Sequence, residues 1–400
     1  MSSGVTLSAA TRQNLLSLQD TAALTATTQN RLSTGRKVNS ALDNPLNYFT
    51  SLNLTGRSAD IGSLLDGISN GIQTIQAANQ GITSIKKLVD QAKSLASQAV
   101  ATQITTTGTG NTYAYGGGSA SSTSVVFYVN GTSTSATINS TSNLTEVVAA
   151  LNSASNATTA GNIFSIDSTG KKLVLNASAD VEFASTSDQT KLGFTAGAGT
   201  GPTYGTTSTA GTSSEITVTG VAQRASLAIQ YNNILTQITS MAGDASFNGV
   251  NLISGKKNDL TINFNPRGNS NLTVASTDET ASGLGLSPII NAGGTASTFG
   301  TGNFLLNADI AATIKTLDAA SDQLKTDATT LGSNLSVVQN RQDFSKQLIN
   351  ILDTGAANLT NADMNEEAAN SQALSTRQSL GISALSLANT AQQSILQLLR

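Results

Sequence analysis

Cysteine, histidine and tryptophan are all absent from this 400-residue chain, and each absence removes a class of chemistry. Without cysteine there are no disulfides, and without cysteine or histidine the usual zinc, copper and haem sites are excluded. Nucleophilic catalysis with a histidine base is excluded too. Charged residues make up only 11%, where about 25% is usual, and Ser, Thr, Asn, Gln, Ala and Gly fill the gap. Disorder of the ordinary kind needs a high net charge to stay expanded. A formal charge of -3 gives little repulsion between copies and favours self-association.

The remaining functional signals are weak. Glu366 and Glu367 are adjacent, and neighbours on a helix diverge by about 100°, so they do not face a common substrate. Arg31, Arg36 and Lys37 lack the accompanying basic face that nucleic acid requires. The Gly-rich segments are not set between a strand and a helix as a phosphate site demands. No catalytic, metal-ligating or cofactor-binding residue is assigned, and no nucleic-acid partner. The start, MSSGVTLSAATRQNLL, has no basic region followed by an apolar core, so no cleaved secretory signal is expected.

What is present is helical periodicity at both ends. Residues 1–43 place Leu15, Leu18, Ala22, Gln29 and Leu32 at heptad-like positions, with a break expected at Gly35. Asp43-Asn44-Pro45 reads as a helix start. A long helix follows to about Gln103, with Ile61, Leu65, Ile68, Ile72 and Ile75 on one seam, continued by Ala78, Ile82, Ile85, Val89, Ala92, Ala96 and Ala99. A second helical region carries Leu227, Tyr231, Ile234, Ile238 and Met241. A third runs in heptads from Ile310 through Leu317, Leu324, Leu331 and Val338 to Leu352, and Asp353-Thr354-Gly355 is expected to close it.

The last seventeen residues, ALSLANTAQQSILQLLR, lie in a stretch with no charge between Arg377 and Arg400. Gly381, Ala384, Ala388, Ala391, Ile395 and Leu398 recur there at spacings of three and four. A helix on a solvated monomer carries charge on its outer face; this one suits a setting among other helices. Its glutamines and asparagines argue against membrane insertion.

Between the helices, residues 104–214 are rich in Ser, Thr and Gly, with Gly clusters at Gly116 to Gly118 and Gly197 to Gly201 expected as linkers. They show strand signals at Ser124–Val129, Thr134–Asn139, Ile163–Asp167 and Leu173–Asn176, and a capping box at Asn143 and Glu146. Hairpin signals follow at Phe247-Asn248-Gly249 and around Pro266-Arg267-Gly268-Asn269. The expected fold is mainly α with an inserted α+β domain, the terminal helices pairing as a coiled coil or bundle with a β-hairpin beside it.

Four segments resemble bacterial flagellin: RLSTGRKVNSALDNP (Arg31 to Pro45), FNGVNLISG (Phe247 to Gly255), LGSNLSVVQNR (Leu331 to Arg341) and the C-terminal ALSLANTAQQSILQLLR. They occur in family order on both flanks of the insert. The resemblance implies a structural, non-enzymatic subunit of a helical homopolymer. It implies an inner layer of residues 1–43 and 356–400, a next layer of 44–103 and 215–355, and an outer domain of 104–214. The assembly interface expected from it comprises Leu15, Leu18, Ala22, Arg31, Leu32, Gly35, Asn39 and Asp43. It continues through Phe247, Asn248 and Gly249 to Gly381, Ala384, Ala388, Ala391, Ile395 and Leu398. Implied partners are a flagellar export chaperone, a filament cap and hook-associated proteins, with export through the flagellar type III apparatus to the cell exterior.

Two departures stand out. The insert precedes the FNG hairpin, whereas many flagellins place theirs after it. Gln91 and Gln230 stand where the family's receptor-recognised surface has an arginine and a glutamate, so weak detection by the vertebrate Toll-like flagellin receptor is expected. A hook–filament junction protein and an extended surface adhesin are the alternatives.

Overall fold

A computed structural model describes residues 9–112, 122–130, 132–139, 141–158, 160–197, 213–289, 304 and 306–398. Helices α1 (Ala9–Thr34) and α2 (Pro45–Ala101) come first. Strands β1 (Thr105–Thr112), β2 (Thr123–Val129) and β3 (Thr132–Ile138) lead to α3 (Leu144–Asn156). Next are β4 (Phe164–Ile166), β5 (Lys172–Ala177), β6 (Val181–Phe183), α4 (Thr186–Lys191) and β7 (Ile216–Thr219). Helix α5 (Val221–Asp244) precedes two hairpins, β8 (Ser246–Phe247) with β9 (Val250–Asn251) and β10 (Leu260–Asn263) with β11 (Asn271–Val274). Helices α6 (Asn307–Thr360) and α7 (Met364–Leu398) complete the order. The fold is therefore mainly α with an α+β insertion. The chain forms two compact units, one of Met1–Ser69, Asn263–Asn271 and Gln339–Arg400, the other of Asn70–Ile262 and Leu272–Val338.

In the first unit, Gly35 at φ +68° ends α1 with its N–H on the Arg31 carbonyl; a side chain there would be strained. Pro45 opens α2 where its missing N–H costs nothing, and the Asn44 side chain caps it by accepting from the Asn47 N–H at 3.1 Å. The expected stop at Gly355 does not occur: α6 runs on to Thr360. A glycine inside a helix costs only about 1 kcal/mol, and Gly355 sits against Leu54 of α2, where a Cβ would make ordinary contact. The chain turns instead after Asn361, where the Asp363 carboxylate accepts from the N–H groups of Asn365 and Glu366 and starts α7.

In the second unit, α2 buries Ile72, Ile75, Ala78, Ile82, Ile85, Val89, Ala92, Ala96 and Ala99, as its periodicity predicts. Helix α6 buries Ile310, Leu317, Leu324, Leu331 and Val338, every seventh residue. Lys93 of α2 reaches Asp318 of α6 at 2.5 Å. On α5 the buried position is Ala242, and Met241 is exposed; the inward row drifts by one residue because it runs through Arg224, Ala228, Tyr231, Leu235 and Ile238.

The insert is a module with antiparallel sheets in the orders β4-β5-β1-β7 and β3-β2-β6. Its core joins Phe127, Phe164, Phe183 and Phe194 to Leu151, Leu173 and Leu175. The capping box of α3 forms as read, with Asn143 accepting from the Glu146 N–H and Glu146 from the Asn143 N–H. Strand β7, beyond residue 214, pairs with β1 from Thr105 opposite Thr219 onward. Strand β1, TTTGTGNT, has no apolar residue, so hydrophobic alternation could not reveal it. Of the Gly clusters expected as linkers, Gly116 to Gly118, Gly199 and Gly201 lie outside the described residues, and Gly197 is described. The observed junction is Gly220 at φ +83°, packed on the Gln103 carbonyl. Beside it Arg224 donates to the carbonyls of Thr102 at 2.8 Å and Phe304 at 3.1 Å, and to Asn307 Oδ1 at 2.8 Å.

Candidate assembly surface

Helices α1 and α7 lie antiparallel in the first unit, with Arg31 opposite Glu367 and Leu18 opposite Gly381. The inward row of α1 is Thr11, Asn14, Leu18, Thr21, Thr25, Thr28 and Leu32; that of α7 is Glu367, Ser371, Leu374, Gln378, Gly381, Leu385 and Ala388. Both rows follow the heptad spacing of three and four, but small and polar residues dominate them. Thr21 and Thr25 return their hydroxyls to the carbonyls of Ser17 and Thr21, each at 2.7 Å. A threonine whose hydroxyl is satisfied within its own helix presents a methyl group to the partner.

Four of the residues expected at the assembly interface lie off the α1–α7 seam. Leu15 and Ala22 face outward on α1, as do Ala384 and Ala391 on α7, and the side chains of Ile395 and Leu398 lie outside the described residues. Leu18, Leu32, Gly381 and Ala388 are on the inward rows. The reason is spacing: a Cβ at Gly381 would stand 2.9 Å from Leu18 Cδ2, so the helices approach too closely for a leucine-to-leucine seam. The larger apolar groups point away instead. Leu16, Leu24, Leu380, Ile382 and Leu387 are all more than half exposed, the last at 73%.

The turn between α1 and α2 ties both chain ends together. The N–H groups of Lys37 and Val38 donate to the Thr360 carbonyl, and the Ala362 N–H donates to the Gly35 carbonyl. Lys37 Nζ donates to the Asn358 carbonyl at 3.1 Å, and Val38 is buried. Asp43 folds back to accept from the N–H groups of Asn39 and Ser40, each at 2.9 Å. The Ser40 and then the Asn39 N–H bonds hold its carboxyl below the usual carboxylate range. Asn39 donates to Thr34 Oγ1 at 3.0 Å. Arg31 donates to Glu367 Oε1 at 3.0 Å, which gives Glu367 a structural place.

Sequence reasoning missed Thr11, Thr21, Thr28, Val38, Thr360 and Glu367. The threonines were legible in principle, because they repeat at heptad spacing; a search for apolar residues passes over them. Phe247, Asn248 and Gly249 form the tight turn of β8 and β9 in the second unit, with Asn248 at φ +49° and Gly249 at φ +79°, the double left-handed geometry of a two-residue hairpin. LGSNLSVVQNR lies on α6, with Leu331 and Val338 buried. Gln91 and Gln230 are exposed. Among the described residues no helix is long and apolar enough to cross a membrane.

Paired terminal helices, long heptad helices and a sheet-containing insertion define a helical protein that leaves several large apolar side chains on the outside of its terminal pair. The bacterial flagellin N-terminal helical region matches residues 5–112 and the bacterial flagellin C-terminal helical region matches residues 314–399. Both ends of the chain are thus similar to the terminal helical regions of bacterial flagellin. Among curated relatives, it is 33% identical over 170 residues to flagellin FljM of Caulobacter vibrioides, covering 42% of this chain and 58% of that one. It is 30% identical over 181 residues to a flagellin of Brucella melitensis, covering 43% and 60%. Flagellin C of Rhizobium meliloti is 38% identical over 96 residues, 24% of this chain and 30% of its own. The chain thus spans somewhat under two thirds of the length of the curated relatives it matches first.

Proposed function

We propose that this chain is a structural subunit that self-assembles into the bacterial flagellar filament and so serves motility. The observation that carries the reading is the terminal pair, whose seam mixes a few leucines with threonine, glycine and alanine and leaves Leu16, Leu24, Leu380, Ile382 and Leu387 exposed. Neighbouring copies would bury those leucines, each at roughly 1.5–3 kcal/mol when fully covered. Ordering a residue costs about 1–2 kcal/mol in backbone entropy, and a seam of small side chains offsets little of it. The terminal helices are therefore marginal in the isolated chain and become fixed in the polymer.

In this reading residues 1–43 and 356–400 form the inner layer, 44–103 and about 220–355 the next, and about 104–219 the outer module. Export proceeds by the flagellar type III route, with a chaperone on the C-terminal helix and cap and hook-associated proteins at the filament ends. Exposed Gln91 and Gln230 make recognition by the Toll-like flagellin receptor weak.

The test is electron microscopy of purified chain after heating and cooling. Long helical filaments support the reading, whereas short rings would fit a junction protein and monomers alone would refute it. Amide exchange at residues 9–34 and 364–398 is expected to be fast in the monomer and slow in the filament.

A further inference from the structure

The first unit contains a cavity of about 790 Å³ lined by residues of α2, the β10–β11 turn and α6. Three arginines converge on it, one from each element: Arg57, Arg267 and Arg341. Among the described residues none of the three has an ion pair or a side-chain hydrogen bond. The partner that one of them does have is an aromatic face, with the Arg341 guanidinium 5.6 Å from the centroid of the Phe264 ring, a geometry that orients a cation without neutralising it. Asp60 is the carboxylate among the lining residues, and it makes no ion pair among the described residues. Phe344, one turn beyond Arg341, is 56% exposed at the cavity edge, while Ile61 and Ser345 are buried at its base.

The charge balance is uneven. Three arginines against one aspartate give the cavity two net positive charges on a chain whose formal total is -3; the remainder therefore carries -5. Like charges gathered from three separate elements repel one another unless an anion joins them, and guanidinium forks match carboxylates in two-point geometry. A chain that assembles with itself brings a surplus of carboxylates with every added copy.

We propose that this arginine cavity receives a carboxylate-bearing segment of a second copy of the chain, and that the exposed Phe344 ring packs against the apolar part of that segment. The inference rests on the filament reading above and adds to it a second contact, remote in sequence from most of the terminal pair and electrostatic in kind. Assembly strength then depends on ionic strength through these arginines.

The experiment compares wild type with Arg267→Ala/Arg341→Ala and with Arg267→Lys/Arg341→Lys, each first checked for an unchanged helical spectrum. The alanine pair should need about tenfold more protein to polymerise and should lose much of the salt dependence; the lysine pair should stay within about threefold of wild type. Polymers of the lysine variant, grown from a mixture of isotopically heavy and light chains, are then treated with a carbodiimide, which joins a lysine amine to a touching carboxylate. Mixed heavy–light cross-links at position 267 or 341 are expected. If wild type polymerises but the alanine pair does so at the same concentration and with the same salt response, or if the cross-links stay within one copy, the proposal is overturned. Pyrophosphate that binds wild type and not the alanine pair, with assembly unaltered, would likewise overturn it and assign the cavity to a small anion. Failure of wild type to polymerise at all would refute the filament reading itself and this inference with it.

Discussion

Asp180 sits just before β6 in the insert, 1% exposed, with neither carboxylate oxygen hydrogen-bonded. Burial, and then the nearby Glu182 carboxylate, push its pKa up from 3.8 to about 8. The folded module thus holds a proton that the unfolded chain releases above about pH 4. Below that pH both states are protonated and the group costs nothing. Between pH 4 and pH 8 the unfolded state alone ionises, so stability falls with rising pH by about 1.4 kcal/mol per unit. At pH 7 the penalty is on the order of 4 kcal/mol, a large part of the 5–15 kcal/mol that typically holds a domain together. Asp180→Asn has nearly the same shape and cannot ionise. It should match wild type at pH 4 and exceed it by several kcal/mol at pH 8. Amide exchange of residues 123–194, corrected for the intrinsic pH dependence of exchange, measures this locally. Wild-type protection that stays level from pH 4 to pH 8, or an asparagine variant no more protected at pH 8, would refute the reasoning.

Gly220→Ala should be strongly destabilising, because a Cβ there stands 2.2 Å from the Gln103 carbonyl oxygen at a φ of +83°; a loss of about 3 kcal/mol or more in chemical unfolding is expected. Arg31→Ala leaves the Glu367 carboxylate, 9% exposed, without its ion-pair partner. Since Arg31 is itself 40% exposed, the cost is about 1–2 kcal/mol, visible as faster exchange in residues 364–374. Ala388→Glu places a charge on the inward row and should unpair α1 from α7, whereas Ala391→Glu, on the outer face, should leave the pair intact and still block polymerisation. Equal behaviour of the two variants in circular dichroism and in filament growth would count against the seam described above. Glu279 is fully buried beside Asp327 and Asp278, and burial first of all raises its pKa to about 7. Glu279→Gln should therefore flatten the loss of stability between about pH 4 and pH 7 in the second unit, read by thermal unfolding.

The helical plan was readable because its periodicity is carried by branched apolar residues. Ile68, Ile75, Ile82 and Ile85 on α2, and the sevenfold repeat of α6, sit where their spacing puts them. The insert was readable where Val125, Phe127 and Leu173 alternate with polar residues, and where Asn143 and Glu146 form a cap. It is not readable at β1, whose threonines and glycines are ordered by partners far along the chain, β5 on one side and β7 on the other. Gly355 does not end α6, because one glycine inside a helix costs only about 1 kcal/mol. At the candidate surface the period of three and four is present in both helices, but the rows facing each other include Thr11, Thr21, Thr28 and Glu367, which apolar spacing does not pick out. Leucine marks a buried seam when a helix has one partner; here Leu18, Leu32, Leu374 and Leu385 share the inward rows with threonines, and Leu16, Leu24, Leu380 and Leu387 are left over.

That inversion links the local chemistry to the proposed assembly. Had α1 and α7 met through Leu15, Leu24 and Leu380, the isolated pair would bury its strongest apolar groups and present threonine and glutamine outward. Such a pair would be stable alone and would have little reason to bind further copies. The observed order reserves the larger gain for contacts outside the pair. A close approach at Gly381, the clamp from Gly35 to Thr360 and the Arg31–Glu367 ion pair fix which face is turned outward. Low charge along both helices means that covering that face desolvates few ionised groups, so the gain from burying leucine is not cancelled by the cost of burying lysine or glutamate. A scarcity of charge, a threonine seam and exposed leucines thus work in the same direction.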